Sequence, residues 1–521
     1  MIENPILRGF CPDPSIVRAG EDFFIATSTF EWWPGVRLHH SKDLKNWKQI
    51  PSPLNRKSQL DLTGAPPSGG VWAPCLSWDG KRFWLVFTDV KTKKGLFYNT
   101  HNYLVYTDDI YGDWSEPVYL NSVGFDPSLF HDTDGKKYII NMLNGFKGIT
   151  VQEYDPAGSC LTGPVKKVYE GTEAGFTEGP HMYHIGEWYY LLTAEGGTSY
   201  EHQITVSRST SVWGPFETDP WSPVLTSDPL DEWGLQKAGH GDLVDTGHGE
   251  WYLVHLCARA RITGEGKKLC LTGRETAIQK VCFQEGWLRL EGGGRYAGRE
   301  TQEPKGISCH LVLQRAARDE FDCEALGVRY SSPRLFLGDN MSLKERPGWL
   351  RLYGRESLNS LHCVSLLAVH QEEACAWAEL AMEFDPVRYE QAAGLAYVYD
   401  AMNFYLLVKS RLETGETVLH IIGSDTGNCS YLSEPVLIPE TGLLKLRAQT
   451  DKEGACVQFF YCAQGEVWER AGEAYSTEIL TDEHCRGFTG AQFGMYCHDM
   501  SGGRRYADFD YFEYDNGYKY I

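Results

Sequence analysis

Asp13-Pro-Ser-Ile-Val17, with Asp22-Phe-Phe-Ile25 after it, sets a pattern that returns four more times in the first half of the chain. The other copies are Ala73-Pro-Cys-Leu-Ser77 with Arg82-Phe-Trp-Leu85, Asp126-Pro-Ser-Leu-Phe130 with Lys137-Tyr-Ile-Ile140, Glu178-Gly-Pro-His-Met182 with Trp188-Tyr-Tyr-Leu191, and His240-Gly-Asp-Leu-Val244 with Trp251-Tyr-Leu-Val254. Their leading residues lie 60, 53, 52 and 62 positions apart. Each copy reads as a half-apolar strand, a turn rich in Gly and Asp, and an aromatic second strand, which is a hairpin. A period of roughly 50 residues built of strands alone predicts propeller blades. Equivalent positions of such blades face one axis, so Asp13, Asp126 and Glu178 are expected to converge. Three clustered carboxylates repel one another and raise at least one pKa, which suits acid–base chemistry.

A second signature supports the blades. His40-Ser-Lys-Asp-Leu-Lys-Asn-Trp47, Tyr106-Thr-Asp-Asp-Ile-Tyr-Gly-Asp-Trp114 and Ser207-Arg-Ser-Thr-Ser-Val-Trp213 each follow a hairpin by about one strand length. They read as outer strands whose Trp packs between neighbouring blades. Helical periodicity is scarce; the longest candidate, Ala316 to Ala325, is short and falls in a connection. Polar, turn-rich stretches between residues 291 and 320, among them the one opening at Arg315, mark that connection. Beyond it come Trp349-Leu-Arg-Leu-Tyr353, Ala393-Gly-Leu-Ala-Tyr-Val-Tyr399, Phe404-Tyr-Leu-Leu-Val408, Val457-Gln-Phe-Phe-Tyr461 and Asp508-Phe-Asp-Tyr-Phe-Glu-Tyr514, alternating and without the blade signature. The expected architecture is all-β: a five-bladed propeller over residues 1–310 and a β-sandwich over 311–521.

With 521 residues the chain has room for both domains. The 16 Trp and 29 Tyr can fill β-cores and also offer flat walls on which sugar rings stack. A net charge of −21 disfavours nucleic acid and anionic membranes as partners. No apolar run is long enough for a membrane span, and no secretory leader is visible at Met1-Ile-Glu-Asn4. The 15 cysteines are scattered, without metal-type spacing, which predicts reduced thiols and a cytoplasmic location.

Glycoside hydrolysis needs two carboxyl groups, one protonated for the leaving oxygen and one for water or carbon. Asp13 and Glu178 are the candidates, with Asp126 as a third group that raises and orients the acid. His240 in Gly239-His-Gly-Asp242 and Arg274 in Thr272-Gly-Arg-Glu-Thr276 join them as weaker candidates.

The chain resembles glycoside hydrolase family 43, in the β-xylosidase branch that carries a C-terminal sandwich. The resemblance rests on Asn4-Pro-Ile-Leu-Arg-Gly-Phe-Cys-Pro-Asp-Pro-Ser15, Val71-Trp-Ala-Pro74, Gly124-Phe-Asp-Pro-Ser128 and Thr177-Glu-Gly-Pro-His181. It continues in Glu195-Gly-Gly-Thr-Ser-Tyr-Glu-His202, Gly239-His-Gly-Asp242, Gly273-Arg-Glu-Thr-Ala-Ile-Gln-Lys280 and Phe488-Thr-Gly-Ala491. It implies an inverting mechanism with Asp13 as general base, Glu178 as general acid and Asp126 as the group that tunes the acid. Arg274 and His240 match sugar-binding groups, and Phe30, Trp72 and Thr198 match the pocket lining. The resemblance also implies an aromatic residue lent by the sandwich; Phe488 matches best and Phe493 competes.

The implied activity is exo-cleavage of β-1,4-xylo-oligosaccharides, with α-L-arabinofuranosidase or dual activity as the nearest alternative. A silent sugar-binding protein and a fructan-active enzyme are more distant ones. Some family members hold a calcium ion near the propeller centre. No acidic calcium loop is visible here, so no cofactor or metal is expected. Relatives also suggest a dimer or tetramer. The stretch His255-Leu-Cys-Ala-Arg-Ala-Arg-Ile262 and the Gly264 to Cys270 loop depart from the family pattern just before Arg274.

Overall fold

The computed structural model describes residues 1–92, 97–312, 316–463, 465 and 467–519; Arg315, where one expected linker stretch opens, lies outside them. Five separate antiparallel sheets form the first domain. Their innermost strands are Ser15–Ala19, Gly70–Trp78, Gly124–His131, Glu178–Ile185 and Gln236–Asp245, one for each blade from 1 to 5. Each begins a four-stranded meander, and blade 4 carries a fifth short strand, Leu225–Thr226.

Alternation along the second strand of blade 1 shows why the sheets stack as blades. Phe24 and Ala26 enter the core shared with blade 2, whereas Phe23 and Ile25 enter the core shared with blade 5. A strand buried on both faces must be apolar throughout, as Asp22–Thr27 nearly is. The three signature tryptophans lie where expected. Trp47 packs between blades 1 and 5, Trp114 between 1 and 2, and Trp213 between 3 and 4.

The ring closes through the N-terminal segment. Ile2–Glu3 pairs with Glu300–Thr301, and Leu7 exchanges two backbone hydrogen bonds with Thr276 of blade 5. The Cys11 N–H donates to the Arg274 carbonyl, which brings the chain entering Asp13 beside Arg274.

The second domain is two sheets with a core between them. The alternation expected for its strands takes a different form: in Gln391–Val398 and Gln492–Asp499 every residue is buried. The cause is a second interface. Ala393, Leu395 and Tyr397 face the sandwich core, while Ala392, Ala396 and Val398 meet Phe10, Phe30 and Trp32 of the propeller. No helix forms at Ala316 to Ala325; its only regular structure is the strand Arg318–Asp319, which pairs with the last strand. A helix does occur where none was expected, the single turn Asp482–Cys485, capped by Thr481.

At the domain contact two glycines meet backbone to backbone. A Cβ on Gly490 (φ +66°) would stand 2.5 Å from the Thr272 carbonyl, and one on Gly273 (φ +73°) would stand 2.7 Å from the Gly490 nitrogen. Gly490→Ala is expected to cost about 1–2 kcal/mol for its left-handed backbone alone, and to lower activity by displacing the neighbouring Phe488. Thermal unfolding and kcat/KM measured together check this; a variant unchanged in both would contradict the tight contact.

Candidate active site

The side chains at the hub are aimed by a repeated backbone irregularity. Asp13, Ala73, Asp126 and His240 all adopt left-handed backbone, with φ of 52°, 36°, 53° and 42°. In blades 2, 3 and 5 the ladder is interrupted at this point, between Trp72 and Cys75, Phe125 and Ser128, and Gly239 and Gly241. A bulge of this kind re-aims the side chain it carries, at a cost of about 1–2 kcal/mol per non-Gly residue in that conformation.

Blade 4 corrects one expectation. Glu178 does not occupy the shared leading position. It pairs with Ala194 before the interruption, in the register that Phe125 and Trp72 hold in their own blades. Gly179, at φ 54°, takes the left-handed place instead. The reason is space: a Cβ on Gly179 would lie 2.9 Å from the His240 ring. With no room for a side chain there, the carboxylate comes from the residue before, and still reaches the hub.

Asp13, Asp126 and Glu178 are all buried and interact electrostatically. Ser28 Oγ donates to Asp13 Oδ2 at 2.7 Å, and the Ala73 N–H donates to the same hydroxyl at 2.8 Å. The Ser28 proton is thereby committed to Asp13, and Ala73, which carries no acid, contributes through its backbone. His240 Nδ1 stands 3.8 Å from Asp13 Oδ1. Burial pushes His240 down to about 4, so near neutral pH its ring is uncharged. Asp126 accepts the Gly179 N–H at 3.1 Å, which ties it to the residue beside Glu178.

Burial and the Asp13 carboxylate push Glu178 up to about 8, against the opposing pull of Arg274. Burial, then Glu178 and Asp13, also push Asp126 well above the ordinary carboxylate range. The Gly179 hydrogen bond favours charge on Asp126. Among the described residues no such donor reaches the Glu178 carboxyl, so Glu178 is the better holder of the shared proton.

Arg274 is buried, donates from Nη2 to the Thr198 carbonyl at 2.6 Å, and stacks over the Phe488 ring at 4.0 Å. Thr198 itself is exposed, so its backbone does the positioning. Phe488 of the sandwich thus reaches Arg274, and its ring lies 5.6 Å from that of Phe30 in the propeller. Phe493 is excluded, because it is fully buried in the sandwich core and stacked on Tyr397 at 4.2 Å. From Phe488 an aromatic arc runs through Phe30, Trp72, Phe125, Phe146 and Phe176, with neighbouring centroids 5.2–6.2 Å apart.

Sequence reasoning missed Phe125, Phe146 and Ser28 as site residues. Phe125 was within reach, since it immediately precedes Asp126 as Trp72 precedes Ala73. Also missed was the anchor of the Phe488 loop. Lys237 Nζ meets Asp482 at 3.3 Å and Glu483 at 2.7 Å, and Tyr399 links Asp482 to the Thr489 N–H. Among the described residues no group of three or more His, Cys, Asp or Glu side chains is arranged so that it could hold a metal ion. Asp242, which lines the cavity between the innermost strands, already accepts from Ser15, Ile16 and Tyr183, which does not fit a cation ligand.

A propeller hub with three buried carboxyls agrees with what comparison finds. The profile described as glycosyl hydrolases family 43 matches residues 2–288, and that of the beta xylosidase C-terminal concanavalin A-like domain matches 318–515. The chain belongs to glycoside hydrolase family 43. Within the family it is 44% identical to a beta-xylosidase of Bacillus subtilis strain 168, over 98% of this chain and 99% of that one. It is also 44% identical to xylosidase/arabinosidase 43B of Humicola insolens, over 98% and 97%. The crystal structure of a xylan beta-1,4-xylosidase from Bacillus halodurans C-125 superposes with a TM-score of 0.95 at 46% identity, covering 99% of this chain and all of that one.

The general acid of a family 43 enzyme must be protonated to act. With Glu178 raised to about 8, kcat/KM is expected to hold up to that pH and fall above it. Asp126→Asn removes a carboxyl whose own pKa is raised by burial and by Glu178, so the titration of the pair, and with it the alkaline limb, should move. A kcat/KM profile that is superimposable on the wild type would contradict the coupling of these two groups.

Proposed function

We propose that this glycoside hydrolase is an inverting, exo-acting β-1,4-xylosidase that removes xylose from the non-reducing ends of short xylo-oligosaccharides. The observation that carries the reading is the buried trio of carboxyls set beside Arg274, with an aromatic arc that the sandwich completes through Phe488. In this reading Asp13 takes a proton from water as the water oxygen bonds to the anomeric carbon. Glu178 gives its proton to the glycosidic oxygen as the carbon–oxygen bond breaks. Attack and departure on opposite faces invert the configuration, which calls for an acid–base separation of about 6.5–9.5 Å. Asp126 keeps the proton on Glu178 by like-charge repulsion and orients it through Gly179.

Arg274 and His240 are the groups placed to hold the terminal sugar, the first charged and the second neutral. Stacking of sugar rings on Phe30, Trp72 and Phe488 supplies apolar contact. The Phe488 loop over the hub favours chain ends, because an internal segment of polymer would have to pass the second domain. The dual name of the Humicola relative supports one alternative, an enzyme that also cleaves α-L-arabinofuranosides. Assembly as a dimer or tetramer and a cytoplasmic location belong to the same proposal; all fifteen cysteines are free thiols, as a reducing compartment would leave them.

Proton NMR during xylobiose hydrolysis is expected to show α-xylose at the newly formed end before mutarotation. Appearance of the β-anomer first would remove the inverting assignment, and a faster rate on the arabinofuranoside of a nitrophenyl pair would favour the alternative. Asp13→Ala and Glu178→Ala should each lower kcat by about 10²–10⁴-fold or more while the protein stays folded. Turnover near the wild-type rate in either would end the mechanism.

A further inference from the structure

Two residues past His240, on the innermost strand of blade 5, the Asp242 carboxylate gathers donors from the strands that carry both proposed catalytic groups. Its Oδ2 accepts from Ser15 Oγ at 2.8 Å and from the Ile16 N–H at 2.9 Å, just beyond Asp13 in blade 1. Its Oδ1 accepts from the Tyr183 hydroxyl of blade 4 and faces His181 Nδ1 at 3.5 Å, both shortly after Glu178. The hydroxyl protons are committed to this carboxylate. Ser15 Oγ already accepts the Leu76 N–H at 3.0 Å, and the Tyr183 hydroxyl accepts the Leu243 N–H at 2.9 Å. Three blades are thus joined at one buried side chain, and blade 2 is tied in through Ser15.

Other ties between innermost strands join two blades each, as Arg18 with Asp245 at 2.8 Å does for blades 1 and 5 and His131 with Ser77 at 2.9 Å for blades 2 and 3, whereas Asp242 gathers donors from two other blades at once. The five blades are separate sheets, so no backbone ladder crosses between these strands. Side-chain packing is also incomplete, because an axial cavity of roughly 360 Å³ opens among Ile16, Leu76, Leu129, Met182 and Leu243, one from each blade. Asp13 precedes the paired strand of its blade, and the bulge at Asp126 and the interruption beside Glu178 further release those residues from regular pairing. A buried carboxylate with several donors is a strong and directional tie in such a setting.

We propose that Asp242 is a positioning residue that fixes the separation of Asp13 and Glu178 across the hub, and so sets the room available to the attacking water. The proposal rests on the assignment of those two as base and acid. Asp242 is occupied by Ser15, Ile16, Tyr183 and His181 and stands apart from Arg274 and the aromatic arc, so its loss should act on the chemical step and leave ground-state binding in place. Asp242→Asn retains the size of the side chain but turns an N–H toward donors on one side.

The test is steady-state kinetics of the full-length chain on a nitrophenyl xyloside, with thermal unfolding of each variant alongside. Asp242→Asn is expected to lower kcat by about 10²-fold, the scale of a misplacement near 1 Å, with KM within about twofold. Tyr183→Phe and Ser15→Ala each remove one donor and should lower kcat less, about 3–10-fold, because the remaining ties persist. In the Asp242→Asn background neither should lower kcat further, since all three act through one carboxylate. A role in stability alone would lower the melting temperature and leave kcat of the folded variants at the wild-type value, and that result would overturn the proposal. A rise in KM with kcat intact would overturn it as well. Should Asp242→Asn not fold, wild-type kcat in both Tyr183→Phe and Ser15→Ala would have the same force. Failure of the wild type on xylosides would instead count against the substrate reading, and the same ratios can be taken on the arabinofuranoside.

Discussion

Three carboxyl groups held out of water, with Arg274 the nearby opposing charge, form the constraint around which the rest of the molecule is arranged. Buried like charges repel strongly, and the simplest relief is to leave at least one of them protonated. Hydrolysis of a glycoside needs that state, one acid charged with a proton and one base ready to receive one. The surrounding contacts separate the two roles. Asp13 accepts a committed proton from Ser28, Asp126 accepts a backbone N–H from Gly179, and the Glu178 carboxyl is left to hold the proton. Fixed donors of this kind cost no reorganisation during the reaction, which is why they are built from the backbone and from a locked hydroxyl.

Much of this was legible in the sequence, for identifiable reasons. A blade needs a half-apolar hairpin, and five copies of one motif at near-regular spacing disclose both the number of blades and their common axis. Trp47, Trp114 and Trp213 were legible because a large ring between blades recurs after each hairpin. Glu178 shows the limit. Its alignment with Asp126 looked natural by spacing, yet a one-residue offset is hidden there, because what moves it is the His240 ring lying against Gly179 in space. Phe493 and Phe488 were likewise indistinguishable along the chain. Only the fold shows that one is trapped between the sandwich sheets while the other covers Arg274.

The second domain takes part in the site through a chain of contacts that starts well away from the sugar. Lys237, buried and just ahead of His240, meets Asp482 and Glu483 on the short helix Asp482–Cys485 of the sandwich. Tyr399 carries that anchor to Thr489, and Gly490 lies against Gly273 next to Arg274. Propeller and sandwich therefore position each other's functional residues: Arg274 supports the Phe488 ring, and the Phe488 loop confines Arg274. None of these partners lies close in sequence, and charged residues such as Lys237 and Glu483 would ordinarily be read as solvated surface.

The sheet that joins the two domains works as a party wall with a different tenant on each side. Successive residues of Gln391–Val398 belong in turn to the sandwich interior and to the face that receives Phe10 and Phe30. One tenant can be refurnished without disturbing the other, so thermal robustness and catalytic shape can drift independently in descendants of this chain. An insertion of a single residue within the strand is another matter, since it would exchange the two sets outright. Changes in length are therefore expected in the turns and not within the wall, whose gauge must stay constant.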